Sequence, residues 1–345
     1  MNTWPKEKLE IVECCPVCKC ANKELAYEGL EDKIFYTASG KWKLWRCLEC
    51  YSSYLSPRPD PSSIHLAYEE YYTHSAPSFQ ENYSQLSFLR KIRRTLINGY
   101  INQRFGASMN PSSRIGLIIC KAFPFLKKTI DLRFRDLPLT SKDKPKVLDV
   151  GCGSGTFLLD SSLCGWDAVG IDIDQSAIKN CTNYGLTAFQ GSLDLFENNQ
   201  TRFNYITMDH VIEHLHDPVD SLQHCYNLLE NGGKIWIQTP NNQSFGHKLF
   251  GKNWRGLEPP RHLVIFNKSS IKKALKNVGF KRVKFINSID PSKRTFSASF
   301  AISKGISPYS DFRTPLKYDF FAFFNKLASM LFRKKSEFIT VIAEK

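Results

Sequence analysis

The 345-residue sequence contains no unbroken run of ~18 apolar residues, so no membrane-spanning helix is expected. Its N-terminus carries acidic residues and cysteines early and lacks the apolar core of a signal peptide, so a cytoplasmic chain is expected. Eleven cysteines are present, but six lie within the first 50 residues. The other five (Cys120, Cys152, Cys164, Cys181 and Cys225) are scattered, as small buried hydrophobes are, which argues against a disulfide framework and for a reducing compartment. Acidic residues are in short supply: 33 Asp and Glu face 47 Lys and Arg, for a net charge of +14. Residues 80–147 contribute +10 and residues 293–335 contribute +7, so the remainder sums to −3. Two basic segments suit an anionic partner such as nucleic acid, anionic lipid or a phosphorylated substrate; a solvated face on ordinary helices would give the same count. There is no RNP motif or other base-stacking signature, so nucleic acid is not the expected partner.

Residues 1–56 read as a small cysteine module. Cys15-Pro-Val-Cys18 and Cys47-Leu-Glu-Cys50 form two C-x-x-C knuckles, the arrangement that holds tetrahedral zinc with four thiolates. The 28 residues between them exceed the usual spacing of about 15–20, and their alternation of aromatic and polar residues predicts the strands of a long hairpin, hence a zinc ribbon. Cys14 and Cys20 complete no C-x-x-C pair.

Residues 57–145 read as a linker and a basic helical segment. Pro57, Pro59 and Pro61 mark the linker. The cluster Tyr68, Tyr71, Tyr72 and His74 suits either a lid over a ligand or simple packing onto the core. Residues 84–137 carry helical spacing, with breaks near Gly106–Ser113 and at Pro124. Leu86, Leu89, Ile92 and Leu96 stand beside Arg90, Lys91, Arg93 and Arg94. Such a basic amphipathic helix either lies on an anionic membrane or buries its apolar face in protein.

From residue 146 strand and helix signals alternate. Strands are expected near 146–150, 167–173, 187–190, 203–208, 233–239, 280–287 and 338–343, with helices notably at 155–164, 175–183, 217–230 and 269–278. This predicts an α/β fold with a doubly wound, Rossmann-like, seven-stranded sheet over residues 146–345, interrupted by an insertion at 288–337. The insertion is rich in aromatics (Phe320, Phe321, Phe323, Phe324) and ends on the basic run Arg333-Lys334-Lys335, which suits an interfacial helix or a domain cover. Val147-Leu-Asp-Val-Gly-Cys-Gly-Ser-Gly155 is a strand entering a glycine-rich turn before a helix, a place where a ligand can approach bare backbone. Asp172 ends the next apolar run 21 residues after Gly151, the distance at which a carboxylate accepts hydrogen bonds from ribose hydroxyls. Thr156 stands where a dinucleotide fingerprint would place its third small residue, which points away from NAD.

Asp149 with the glycine triplet, Gly170-Ile-Asp-Ile-Asp174, Tyr205 to Pro218, Leu228 to Gly233, Ile235 to Asn241 and Gly251 to His262 together resemble the class I S-adenosylmethionine (SAM) methyltransferases over about residues 146–287. The last stretch is similar to a branch associated with bacterial surface polysaccharides, in which a comparable ribbon precedes the methyltransferase domain. The resemblance implies S-adenosyl-L-methionine as cofactor, contacted by Asp149, Gly151, Cys152, Gly153, Gly155, Asp172, Ile173, Ser192, Leu193 and Asp209. It also implies an antiparallel hairpin of the last two strands, and an acceptor pocket built from the loop holding Trp254, Arg255 and Arg261. There a tryptophan could wall a ring and an arginine could clamp a phosphate. His210 and His262 are the candidate proton acceptors. His210, Glu213 and His214 match positions where a quinone-methylating branch holds a divalent ion. The string His-x-x-Glu-His also occurs in zinc proteases, but here it follows a strand of the sheet. The expected activity is O-methylation of a sugar hydroxyl in a polysaccharide or its precursor, a small-molecule or glycan substrate that is phosphorylated or lipid-linked. Peripheral contact with the inner face of an anionic membrane accompanies that expectation. The alternatives are a small quinone-like or aromatic acceptor, or a nucleic-acid-binding protein or RNA methyltransferase.

Overall fold

Seven of the expected strands hydrogen bond into one sheet. In this computed structural model, residues 4–68, 83–137, 144–197, 200–286, 292–331 and 335–345 are described. Tyr71, Tyr72 and His74 of the cluster expected as a lid or as core packing, and Arg333 and Lys334 of the basic run, lie outside the described residues.

The N-terminal strands are β1 (Leu9–Glu10), β2 (Lys23–Leu30), β3 (Trp42–Cys47), β4 (Ser53–Leu55) and β5 (Arg58–Pro59). Three helices follow: α1 (Phe88–Phe105), α2 (Ile115–Ala122) and α3 (Pro124–Arg133). Then come β6 (Lys146–Val150), α4 (Thr156–Leu163), β7 (Asp167–Asp172), α5 (Gln175–Asn183), β8 (Ala188–Gln190), β9 (Phe203–Asp209), α6 (Pro218–Leu228) and β10 (Leu229–Pro240). The chain ends with α7 (Phe245–Phe250), β11 (Val264–Ile265), α8 (Lys268–Val278), β12 (Lys281–Ile286), α9 (Ser292–Ser303), α10 (Leu316–Leu331) and β13 (Phe338–Glu344).

The large sheet runs β12-β13-β10-β9-β6-β7-β8. β6 pairs in parallel with β7 on one side and β9 on the other, so successive connections wind outward in opposite directions from β6. That reversal opens a crevice beyond the carboxyl end of β6, where the glycine-rich turn lies. β12 and β13 pair antiparallel, as the resemblance implied.

The chain divides into two compact units. One comprises Tyr72–Met208 and Leu228–Trp236. Its core joins Tyr100, Phe105, Phe134, Val147, Phe157 and Trp166, so the basic helices pack on the sheet through the C-terminal half of α1. There α1 and α2 cross in close contact: a Cβ on Gly116 would lie 1.8 Å from the Leu96 carbonyl oxygen, and one on Gly99 1.8 Å from that of Ser113.

The other unit comprises Met1–Tyr71, Asp209–Asn227 and Ile237–Lys345. The expected hairpin between the knuckles is β2–β3. β4 pairs with β3 on one side and with β11 on the other, giving a four-stranded sheet β11-β4-β3-β2. Trp254, Leu257 and Ile265 complete a core with Trp4, Leu30, Trp42, Leu44 and Leu55. Arg261 anchors the join. It is fully buried, donates to Asp32 at 2.5 Å and to the Ala67 carbonyl at 2.7 Å, and stacks on Phe35 at 4.4 Å. No helix among the described residues is long and apolar enough to cross a membrane.

Candidate functional site

The four knuckle thiols converge. Cys15 and Cys50 sulfurs are 3.6 Å apart, Cys18 and Cys47 sulfurs 3.5 Å, and all four ligand atoms lie within 4.8 Å of one another. Disulfide sulfurs would be about 2.05 Å apart, whereas a tetrahedron with Zn–S of about 2.3 Å has edges of about 3.8 Å. The two knuckles repeat one backbone pattern. Lys19 N–H donates to Cys15 O and Tyr51 N–H to Cys47 O, and both Lys19 and Tyr51 take φ of 59°. A hydrogen bond from Cys50 holds Cys15 down at about 5, while burial pushes Cys18 up to about 11. Crowded thiols cannot all ionise alone, and a divalent cation is the partner that permits it. Cys14 is exposed and, like Cys20, is not part of the cluster.

The cofactor loop belongs to the unit containing β6. Gly151, Gly153 and Gly155 take φ of 69°, 50° and 79°. A Cβ on Gly155 would meet the Cys181 sulfur at 2.7 Å, whereas one on Gly153 would meet nothing within 4 Å. Asp172, at the end of β7, accepts Gly153 N–H on one oxygen at 2.8 Å and Asp174 N–H on the other at 2.9 Å. Each oxygen keeps a lone pair for a further donor. Burial raises its pKa, and the two amides oppose that rise. Ile173 beside it is 65% exposed, an apolar surface available to a flat base. Asp149 is buried under the loop and accepts the Thr207 hydroxyl at 2.6 Å. Cys152 is buried, its pKa raised by its hydrogen bond with Cys181 and by burial. Ser192 caps the short turn after β8, its hydroxyl donating to Asp194 at 2.6 Å, and Leu193 is buried behind it. These groups suit a nucleoside with a vicinal diol.

The other unit carries the acid and histidine groups after β9. Asp209 accepts from Gln238 Nε2 at 3.0 Å. His210 takes φ of 57°, a left-handed conformation unusual outside glycine and held by its N–H bond to the Gln238 carbonyl at 2.9 Å. Its Nδ1 lies 3.1 Å from Glu213 Oε1. A carboxylate only accepts, so Nδ1 carries the proton and Nε2 of the neutral ring keeps its lone pair. Glu213 is fully buried and also accepts the Thr239 hydroxyl at 3.0 Å. Burial would raise its pKa, but the His210 hydrogen bond and the surrounding imidazoles hold it at about 2. Burial works against the His210 cation too, yet Glu213 brings its pKa above the ordinary imidazole value.

Of the acceptor-loop candidates, Trp254, Arg261 and His262 are packed inside the protein and Arg255 is half-buried. His262 is buried, donates from Nδ1 to the Gly256 carbonyl at 2.8 Å, and is pushed down to about 4, chiefly by burial. Trp254 is buried, donates to Glu337 at 2.8 Å and stacks on His247, so both ring and N–H are spent on protein contacts. Arg255 pairs with buried Glu258, and Arg261 spends its donors on Glu258, Thr37, Ala67 and Asp32. Ligand atoms of Glu213, His214 and His262 lie within 4.8 Å of one another; that grouping includes His262 in place of His210. His214 Nδ1 is 3.0 Å from the Arg261 carbonyl and 3.0 Å from the Tyr68 hydroxyl, which ties the loop to the linker. Asp32, Gln238 and Glu337 were not singled out from the sequence as functional, because each acts through a partner distant in the chain. Cations that do line open space occur in this same unit. A groove of about 330 Å³ is bounded by Tyr27, Arg46, Tyr51, His247, Lys248 and Lys335.

Comparison with known proteins agrees with the loop geometry. Residues 122–284 match the family described as "Methyltransferase domain". The chain is 30% identical over 109 residues to the ubiquinone biosynthesis O-methyltransferase of Methylococcus capsulatus, covering 30% of this chain and 46% of that protein. It is 34% identical over 107 residues to the protein of the same name from Actinobacillus pleuropneumoniae, covering 28% and 46%. The chain thus spans about half the length of these curated relatives. Among solved structures, a SAM-dependent methyltransferase from Archaeoglobus fulgidus aligns with a TM-score of 0.44 at 20% identity, over 66% of this chain and 99% of that one. The mycolic acid cyclopropane synthase CmaA1 in complex with SAH aligns with a TM-score of 0.42 at 17% identity, over 65% and 88%. The strand order and the glycine loop with its strand-end aspartate are those of a methyltransferase-type, Rossmann-like α/β fold, and residues 122–284 are similar to the methyltransferase domain family.

Proposed function

We propose that the chain is an O-methyltransferase in which Gly151–Gly155 and Asp172 hold SAM and His210 receives the acceptor's proton. The observation that carries this is the loop cradle: Asp172 is fixed by Gly153 and Asp174 amides with lone pairs to spare for ribose hydroxyls. Bound SAM supplies an activated methyl group, so the protein need only align the acceptor and take one proton. His210 suits that role because Glu213 sets its tautomer, leaving Nε2 as the accepting atom, and stabilises the imidazolium that forms. His262, buried and hard to protonate, suits it less. Cys15, Cys18, Cys47 and Cys50 hold a structural zinc in this proposal.

For the acceptor we propose a sugar hydroxyl on a phosphate-bearing polysaccharide precursor, supported by the resemblance of residues 251–262 and by the groove. Arg255 and Arg261 are committed to buried carboxylates and Arg46 pairs with Glu24, so Lys248 and Lys335 would meet the phosphate, with Tyr27 and Tyr51 as apolar walls. A small quinone-like acceptor is the second reading, favoured by the names of the relatives at 30% and 34% identity. Calorimetric titration of the whole chain with SAM, S-adenosylhomocysteine and NAD tests the cofactor: the first two bind and NAD does not, and binding of NAD alone sinks the proposal. Methyl-group analysis of surface glycans and quinones from a deletion strain separates the acceptors: loss of an O-methyl sugar supports the first, and a changed quinone profile the second.

A further inference from the structure

Helix α1 changes character along its length. Its C-terminal half is buried at Asn98, Tyr100, Ile101 and Phe105, but at its N-terminal end Phe88 and Leu89 are each 76% exposed. The neighbouring end of α2 and the start of α3 behave alike, with Ile118 68% and Phe123 62% exposed. An apolar groove of about 310 Å³ lies between these ends, lined by Leu89, Ile92 and Leu96 of α1, Ile119 of α2 and Leu126 of α3. The close glycine crossing of α1 and α2 sets the ends side by side.

The charge along this stretch of the sequence has one sign. No Asp or Glu occurs from residue 82 to residue 130, whereas nine Lys and Arg do. Arg90, Arg93 and Lys121 are exposed beside the apolar tips. A face that was merely solvated would mix both signs, and would not leave phenylalanines in water. A second copy of the same surface would bring these cations together at a cost. Large apolar side chains ringed by cations fit a bilayer with anionic headgroups, where the apolar groups enter the interface and the cations stay among the phosphates.

We infer that the α1–α3 end is a docking surface for anionic lipid. This holds whatever the chain methylates, and it gives the protein a means of reaching a membrane-held substrate.

Sedimentation of the full chain with vesicles tests it. The protein binds vesicles of phosphatidylcholine mixed with phosphatidylglycerol and not phosphatidylcholine alone, and salt weakens the binding. Each cation near an anionic surface is worth about fivefold, so Arg90→Gln with Arg93→Gln lowers partitioning about 25-fold. Phe88→Ser with Leu89→Ser and Phe123→Ser lowers it at least tenfold with every cation in place. S-adenosylhomocysteine affinity and Tm measured on the same variants show whether they remain folded. The inference is overturned if the wild-type chain ignores anionic vesicles or the apolar variant binds them unchanged. It is also overturned if the apolar residues prove to hold a dimer in sedimentation velocity, or if RNA competes through the cations alone.

Discussion

Glu213→Gln isolates the proposed proton acceptor with little change of shape. The amide oxygen can still accept from His210 Nδ1, and the amide N–H can donate to the Thr239 hydroxyl, so neither partner need be left unsatisfied. What disappears is the negative charge 3.1 Å from the imidazole. His210 should therefore fall from its raised pKa, because burial, the largest influence on it, is then less strongly opposed. A ring titration followed by NMR reads this without any acceptor. The neutral ring is the active form, so the wild-type rate rises with pH through a pKa above the ordinary 6.5, and the variant's limb moves to lower pH. Methyl transfer should drop by about 10²-fold, the lower end of what general-base catalysis supplies, with SAM affinity unchanged. Stability should also respond. Glu213 is held at about 2 against an ordinary 4.5, so its ionised contacts stabilise the fold above pH 4.5 and are lost as pH falls toward 2. At about 1.4 kcal/mol per pH unit they amount to about 3 kcal/mol at neutral pH, or roughly 4 °C in Tm for a chain of this length. The His210 contribution has the opposite sense: it is complete below 6.5 and fades as pH rises through the raised pKa. A variant that keeps wild-type turnover and an unchanged His210 titration would refute the assignment of His210. Loss of Tm with an unmoved pH profile would reduce Glu213 to a structural role.

Asp172→Ala should weaken S-adenosylhomocysteine binding by about 2–3 kcal/mol in calorimetry, the worth of hydrogen bonds to a buried charged group; an unchanged affinity would remove the loop from the cofactor site. Protein purified under reducing conditions without added metal should contain about one zinc per chain by elemental analysis. Chelation should raise hydrogen exchange both in the knuckles and in β11, since β11 pairs with β4 and Trp254 shares the module's core. Arg261→Met should cost about 3–5 kcal/mol in denaturant unfolding, because Asp32 stays buried without its cation and Glu258 keeps only Arg255. A loss within ~1 kcal/mol would mean that the backbone amides around Asp32 suffice.

Much of the molecule was legible in local sequence. Strand and helix spans from residue 146 agree closely with those observed, because period-2 and period-3.6 patterns are properties of contiguous segments. The turn of the glycine loop and the convergence of both knuckles could be read for the same reason: they depend on backbone geometry within a few residues. The acceptor loop could not. Trp254, Arg255 and Arg261 have the chemistry of ligand-binding side chains, but Arg261 meets Asp32 across 229 residues and Trp254 meets Glu337 across 83. Burial of such groups is decided by partners that no local window contains. The basic helices show the converse. Their amphipathic pattern was plain in the sequence, and it stabilises either burial or exposure of the apolar face equally well. Only the tertiary packing, which uses the C-terminal half of α1 for the core and leaves Phe88, Leu89 and Phe123 in solvent, decided between them. Sequence patterns set which surfaces are apolar or charged, and the free energy of burial depends on what those surfaces meet.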